Sequence, residues 1–400
     1  DGACRTCAGA AMIRTLHIQN LKCFDAISLP LGALTLLTGF NAAGKSTVLQ
    51  ALLLLGQAQR QGGRLPFIPL NGPLAHLGSP GDVLREGGGP ELSLGIETLD
   101  ERVDWVMSVG DRRGGHALPI GRIEWRVGPD TGGASSFPEG LENLLPRNAP
   151  APIQDICRSL GDLIFLSAMR TGATEVFPSP ENAEPVWADV GSEGEFAPWW
   201  FEKHLDDEVE PERRCAEELA PILRRQFNAW ASRLFPRAQA NGQRVTGTSL
   251  VRLELRNHGS DEWRRPANIG YGLTYAFPIL VAGLLARRGQ LLIVDSPEAH
   301  LHPMGQSLMG HFLAMLARAG VQVIVETHSD HVLNGVRLAV SRGELSPLET
   351  AIHFFNYRPR LSSDPAHVVS PQIDSKGNLS EWPSGFFDQA ERDLTALAGW

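Results

Sequence analysis

The sequence predicts an α/β fold of the P-loop nucleotide-binding type, and three observations predict it. Gly39-Phe40-Asn41-Ala42-Ala43-Gly44-Lys45-Ser46-Thr47 is a GxxxxGK[ST] turn set between an apolar run and a helix rich in Leu and Ala. Leu291-Leu292-Ile293-Val294-Asp295 is a short apolar run closed by an acid, as expected of a central parallel strand with its carboxylate at the ligand-binding edge. From there strand-like and helix-like segments alternate, the pattern that a parallel sheet with crossover helices requires.

Taken in order, Met12 followed by Ile13-Arg14-Thr15-Leu16-His17-Ile18 reads as a natural start, so residues 1–11 are set apart as an extension. Cys4 and Cys7 within it make a lone CxxC, without the second ligand pair that a zinc site needs. Apolar residues alternate loosely over Ile13–Phe24, and Ile27–Leu31 follows as a short strand. Leu34–Thr38 then predicts the buried strand that feeds the glycine turn, and Val48–Leu55 the helix that leaves it. Residues 57–163 are rich in Gly and Pro, with strand-like runs at Leu92–Thr98, Val103–Val109 and Ile120–Val127, which predicts an antiparallel lobe. Gly128–Pro152 holds little that can pack and predicts a surface loop.

Leu163–Leu166 is the next short buried strand. Phe196–Phe235 carries aromatic and charged residues at helical spacing, broken by Pro211, Pro221 and Pro236, and predicts a small helical insertion. Its Trp199-Trp200 pair reads as packing. Strands at Val245–Leu255 precede the glycine turn Asn268-Ile269-Gly270-Tyr271-Gly272-Leu273-Thr274, which opens an apolar helix through Leu285. After Asp295 come a helix over Pro303–Ala319, a buried strand over Val321–Glu326, and Thr327-His328-Ser329-Asp330 capping a further helix. The expected organisation is a first part of the head at 12–165, a helical and strand insertion at 166–265, a second part of the head at 266–345, and a C-terminal strand and tail at 346–400.

The nine-residue turn carries the chemistry. Its backbone N–H groups and the helix N-terminus cradle phosphate oxygens, Lys45 reaches the β- and γ-phosphates, and Ser46 offers a hydroxyl to Mg²⁺. Gly39 and Gly44 allow close approach of backbone to ligand. Only four lysines occur in the chain, Lys22, Lys45, Lys203 and Lys376, and one stands where this motif needs it. Hydrolysis further requires a Mg²⁺ anchor, a group that positions water and a γ-phosphate sensor. Asp295 and His328, each closing an apolar strand, suit the first and the last of these.

A formal charge of −9 over 400 residues argues against wholesale nucleic-acid affinity, leaving only local Arg pairs such as Arg224-Arg225 and Arg264-Arg265. The longest apolar stretches fall short of a membrane span and no signal peptide opens the chain, so a cytoplasmic protein without a membrane partner is expected. Five scattered cysteines fit a reducing compartment.

Together, Gly39–Thr47, the Asn268–Thr274 turn, Asp295-Ser296-Pro297-Glu298-Ala299-His300-Leu301-His302-Pro303 and Glu326-Thr327-His328-Ser329-Asp330 resemble the ABC-type ATPases of the SMC, RecF and OLD class. More narrowly the chain is similar to bacterial AAA-family ATPases with a C-terminal domain of unknown function, whose ends read like Ile373–Gly377 and Trp382–Phe387. The resemblance covers nearly everything from Met12. It implies an ABC-ATPase head with a mixed sheet, binding ATP and Mg²⁺ through Gly39, Asn41, Ala42, Ala43, Gly44, Lys45, Ser46, Thr47 and Asp295. It also implies a homodimer that closes around ATP, with Asn268, Gly270 and Gly272 of one head facing the γ-phosphate held by the other. His300 and His302 would lie in the D-loop, in preference to a zinc site shared with His328 and His331. Such heads serve beside a separate effector, a nuclease for example, in anti-phage defence or DNA repair, and DNA binding is left open.

One departure stands out. Where ABC-type heads place a catalytic glutamate directly after the Walker B acid, this chain has Ser296, whose hydroxyl is no useful general base near neutral pH. Glu298 is then the candidate base, and slow hydrolysis is expected, with Asp295, His328 and Lys45 completing the catalytic set. The alternatives are a nucleotide-gated binding module with little turnover and an OLD-type nuclease. The tail after His328 is short for a nuclease domain and has no Asp-x-Asp pair to hold metals. Gln57 is not assigned as a Q-loop residue.

Overall fold

The computed structural model describes residues 12–62, 66–110, 115–182, 184–257, 262–356, 368–383, 385–387 and 389–398. The extension expected at 1–11, with its CxxC, lies outside the described residues.

A hairpin of β1 (Thr15–Leu21) and β2 (Phe24–Pro30) leads into β3 (Leu34–Gly39), the glycine turn and helix α1 (Lys45–Gln61). Next come β4 (Phe67–Pro69), the single turn α2 (Pro80–Val83), β5 (Glu91–Glu97), β6 (Glu101–Ser108), β7 (Ala117–Val127) and β8 (Asp130–Ala134). Helix α3 (Ala151–Gly161) and β9 (Ile164–Leu166) precede β10 (Val176–Phe177), α4 (Ala197–Lys203), α5 (Leu223–Leu234), β11 (Gln239–Arg244) and β12 (Val251–Arg256). The remainder is α6 (Tyr271–Leu285), β13 (Leu291–Asp295), α7 (Pro303–Arg318), β14 (Gln322–Glu326), α8 (Asp330–Ser341), β15 (Thr350–Phe355), β16 (Val368–Val369) and α9 (Gln389–Leu397).

The central sheet runs β16-β15-β3-β14-β13-β9 and is parallel except for β16 at its edge. Its strands are buried on both faces, which explains their unbroken apolar runs. Alternate side chains feed two separate cores. Leu34, Leu36, Leu292, Val294, Val323, Val325, Ile352 and Phe354 face one with α5, α6 and α7. Leu37, Leu291, Ile293, Ile324 and Phe355 face the other with α1 and the antiparallel lobe β2-β1-β5-β6-β7-β4, onto which β8 is added. A third sheet, β10-β12-β11, packs with α4 and α5 into the first core. This is an α/β P-loop fold with a mixed sheet, an antiparallel β lobe and a helical insertion.

Two local expectations are corrected. The segment 128–152 is not an unpacked loop: β8 pairs with β7, Leu141, Leu144, Leu145 and Ala149 are buried, and the buried Trp105 indole donates to the Leu144 carbonyl at 2.9 Å. The strands placed at Val245–Leu255 are instead β11 and β12, joined by a turn at 245–250. Polar, Gly-containing β11 reads poorly as a strand, and pairing with β12 along its whole length overrides that weak propensity. Trp200 is in the core with its indole on the Asp189 carbonyl, while Trp199 packs against it edge-on.

The C-terminal segment closes back on the P-loop end of the sheet. Phe40, within the glycine turn, meets Phe354 of β15 edge-on, Phe354 meets Phe386 the same way, and a Cβ on Gly385 would lie 2.4 Å from the Phe40 ring. Arg337 on α8 donates to the Gly377 carbonyl and lies over the Trp382 ring.

Candidate nucleotide site

The P-loop is built by backbone geometry. Gly39 (φ 123°), Ala42 (φ 58°) and Gly44 (φ 113°) turn the chain sharply between β3 and α1. Gly44 occupies the helix N-cap with no side-chain cap, so the N–H groups of the first turn stay available for an anion. Buried Lys45 points its ammonium at the loop itself, donating to the carbonyls of Gly39 (3.0 Å) and Phe40 (2.8 Å). Asn41, Ala42 and Ser46 are exposed at the mouth, whereas Thr47 is buried, its hydroxyl 4.0 Å from the Cys23 sulfur.

Two carboxylates close adjacent strands beside this loop, Asp295 on β13 and Glu326 on β14, in register with one another. Ser46 donates its hydroxyl to Glu326, at 3.0 and 3.2 Å from its two oxygens, and the Lys45 ammonium is 3.9 Å from the same carboxylate. Burial, followed by the charge of Asp295, pushes the Glu326 carboxyl up to about 7. Asp295 accepts a 2.8 Å hydrogen bond from Ser296, which holds a left-handed backbone at φ 50°. That turn is pinned by Arg170, which donates to the carbonyls of Asp295 and Ser296. Arg170 is almost wholly buried, and burial lowers it to about 10.

Glu298 ties the Walker B turn to the loop after β14: one oxygen accepts from the Thr327 hydroxyl and the other from the His328 amide, both at 2.8 Å. The exposed His328 ring is held below the ordinary histidine range by desolvation and then by the charge of Lys45. Lys45, Ser46, Asp295, Glu298 and His328 therefore gather at one end of the central sheet. Asn268, Gly270 and Gly272 do not join them within the chain. Gly270 (φ 96°) caps α6, and Gly272 sits against Phe235 and the His300 carbonyl. His300 packs on Tyr271 and Tyr275, and His302 caps α7. Gln57 is a buried structural residue, bonded to the Pro69 carbonyl and the Ala75 amide.

The donor set suits Mg²⁺, a hard cation that takes oxygen ligands. Among the described residues no cluster of three or more His, Cys, Asp or Glu side chains could hold a metal ion. Arg170 and Glu326 were not singled out from the sequence. Glu326 closes a buried strand as Asp295 does, and that shared pattern was the available signal.

Models of known families match along most of the chain. Residues 12–68 match an AAA ATPase domain, and residues 162–334 match a family described as "AAA domain, putative AbiEii toxin, Type IV TA system". Residues 345–397 match a protein family of unknown function, DUF3696. The chain is thus similar to AAA ATPase domains over the first two of these stretches. Such domains imply nucleotide use, typically with Mg²⁺. A curated relative, the OLD nuclease of Thermus scotoductus, is 48% identical over 46 residues. That stretch is 11% of this chain and only 9% of the nuclease. Three solved structures align over most of their length. An Smc head bound to the C-terminal winged-helix domain of ScpA has 12% identity, 90% of this chain and 98% of the other covered, and a TM-score of 0.49. The SMC head of Thermotoga maritima has 10% identity, 90% and 99% coverage, and a TM-score of 0.41. A Pyrococcus furiosus Smc head, with an extended coiled coil and bound to the C-terminal domain of ScpA, has 11%, 96%, 99% and 0.49. No helix of the described residues is long and apolar enough to cross a membrane.

Proposed function

We propose that this chain binds Mg·ATP at the P-loop, hydrolyses it slowly, dimerises around it and thereby switches a separate effector. The observation that carries the reading is the convergence of an uncapped helix N-terminus, Lys45, Ser46 and the strand-end acids at one edge of the sheet. On binding, Lys45 exchanges the Gly39 and Phe40 carbonyls for phosphate oxygens, and the first-turn amides of α1 take up the remaining charge. Mg²⁺, when bound, supplies charge neutralisation on the phosphates. Glu298 is held by Thr327 and the His328 amide, yet each of its oxygens keeps a lone pair with which to orient a water, and His328 stands ready to donate to the γ-phosphate. The exposed Asn268–Gly272 turn would complete the site in a second copy. Ser296, in place of a stronger base, is the reason for expecting slow turnover.

A cytoplasmic location, a nuclease-like effector and a role in defence or repair are proposed by analogy with the class. Nuclease activity in the chain itself is not proposed, because the OLD match spans so little of that protein. The second reading, a nucleotide-gated module without turnover, is favoured by Ser296. Light scattering with Mg·ATP, run beside phosphate release, separates the two. ATP-dependent dimers with slow release, both lost in Lys45→Ala, and dimers without release in Glu298→Gln, support the switch. Dimers without release in the wild type select the second reading, and an unchanged monomer refutes both.

A further inference from the structure

Strand order decides which acid stands nearest the P-loop. Because β14 lies between β3 and β13, a side chain closing β14 is one strand, about 4.8 Å, nearer the glycine turn than one closing β13. Glu326 occupies that position, and it is Glu326 that Ser46 touches, while Asp295 is engaged by Ser296. A serine hydroxyl that donates its proton to a carboxylate keeps its oxygen lone pairs for a cation. The Asp295 and Glu326 carboxylates also close adjacent strands in register, so a cation between them relieves their mutual repulsion. Mg²⁺ is commonly held by one or two carboxylates together with substrate phosphates, so a dication bridging these oxygens and a nucleotide meets both conditions.

Resting on the ATP-site reading above, we propose that Glu326 is a cation-holding residue, binding the Mg²⁺ of Mg·ATP together with Ser46 and Asp295 as the acid nearest the ion. The alternative role is purely structural, with Glu326 bracing Ser46. The test uses the full chain, titrated with a fluorescent ATP analogue in Mg²⁺ and in EDTA, and with Mn²⁺ followed by electron paramagnetic resonance in the presence of ADP. Glu326→Gln, which keeps the size of the side chain, is expected to lose roughly 10- to 100-fold in Mn²⁺ affinity while nucleotide affinity in EDTA stays within about twofold. Glu326→Asp keeps the charge but withdraws it by one methylene, and is expected to fall between. It also decides the matter if the glutamine variant fails to fold. Wild-type Mn²⁺ affinity in the Glu326 variants, with the loss confined to Asp295→Asn, overturns the proposal and leaves the bracing role. Failure of the wild type to bind nucleotide in either medium refutes the P-loop reading instead.

Discussion

Replacing Gly39 by alanine measures how firmly β15 sets the P-loop. Gly39 is at φ 123°, and an added Cβ would lie 2.2 Å from the Phe355 carbonyl oxygen and 2.6 Å from its nitrogen. Both are backbone atoms of the neighbouring strand, so no rotamer change relieves the overlap. Ordinary contact is about 3.5 Å, so β3 and β15 must part by more than an ångström. Parting them breaks the 3.0 Å hydrogen bond from the Phe40 amide to the Phe355 carbonyl, at the second residue of the turn. An alanine at this φ costs about 1–2 kcal/mol, the lost hydrogen bond about 1, and the overlap about 1–3, together on the order of 4 kcal/mol. Discharged into the loop, that strain lowers nucleotide affinity by roughly a thousandfold, at about 1.4 kcal/mol per decade. Gly62→Ala is the control: it too has positive φ, at 60°, but nothing lies within 4 Å of its Cβ. It should cost about 1–3 kcal/mol and leave binding unchanged. Fluorescent nucleotide titration and urea denaturation of both variants read the difference. Gly39→Ala binding within about threefold of wild type, with the denaturation midpoint of Gly62→Ala, would refute the reasoning.

Two further perturbations test the surroundings of the site. Arg170→Met retains the apolar stem and removes the donors that hold the Asp295 and Ser296 carbonyls, and should lower stability by about 2–4 kcal/mol in urea denaturation; an unshifted midpoint would show that the turn holds itself. His353 is buried, bonded to the Pro30 carbonyl and Ser370, and burial holds its pKa below the ordinary value of 6.5. Its proton is bound more readily by the unfolded chain, so its stabilising contribution is present above pH ~6.5 and declines as the pH falls toward the depressed folded value. Wild type should therefore lose more stability than His353→Gln between pH 7 and pH 5, roughly estimated bounds set by the ordinary histidine range, and parallel curves would exclude the assignment.

Much of this architecture could be read from the sequence because its signals are local. The glycine turn, the apolar run before Asp295 and the Ser329 cap of α8 each lie within a few consecutive residues, and each sits at the expected junction of strand and helix. What could not be read depends on strand order. Ser46 and Glu326 are 280 positions apart, and their contact exists only because β14 inserts between β3 and β13. Arg170 reaches Asp295 because β9 pairs with β13, which a short apolar run cannot announce. The segment 128–152 misleads for a different reason: a few leucines among Gly and Pro look insufficient for a core, yet the lobe and α1 already provide one and need only to be capped.

The segment matched as DUF3696 begins at residue 345, but no mechanical border lies there. Its first strand, β15, supplies the backbone partner of β3 up to Gly39, and Phe354 and Gly385 shape the surroundings of Phe40. Cutting there would leave the P-loop strand as a bare sheet edge with unpaired amides and carbonyls. A change at Phe354 or Gly385 therefore bears directly on the residue that follows the first glycine of the phosphate loop. The tail is thus a wall of the most recognisable motif in the chain.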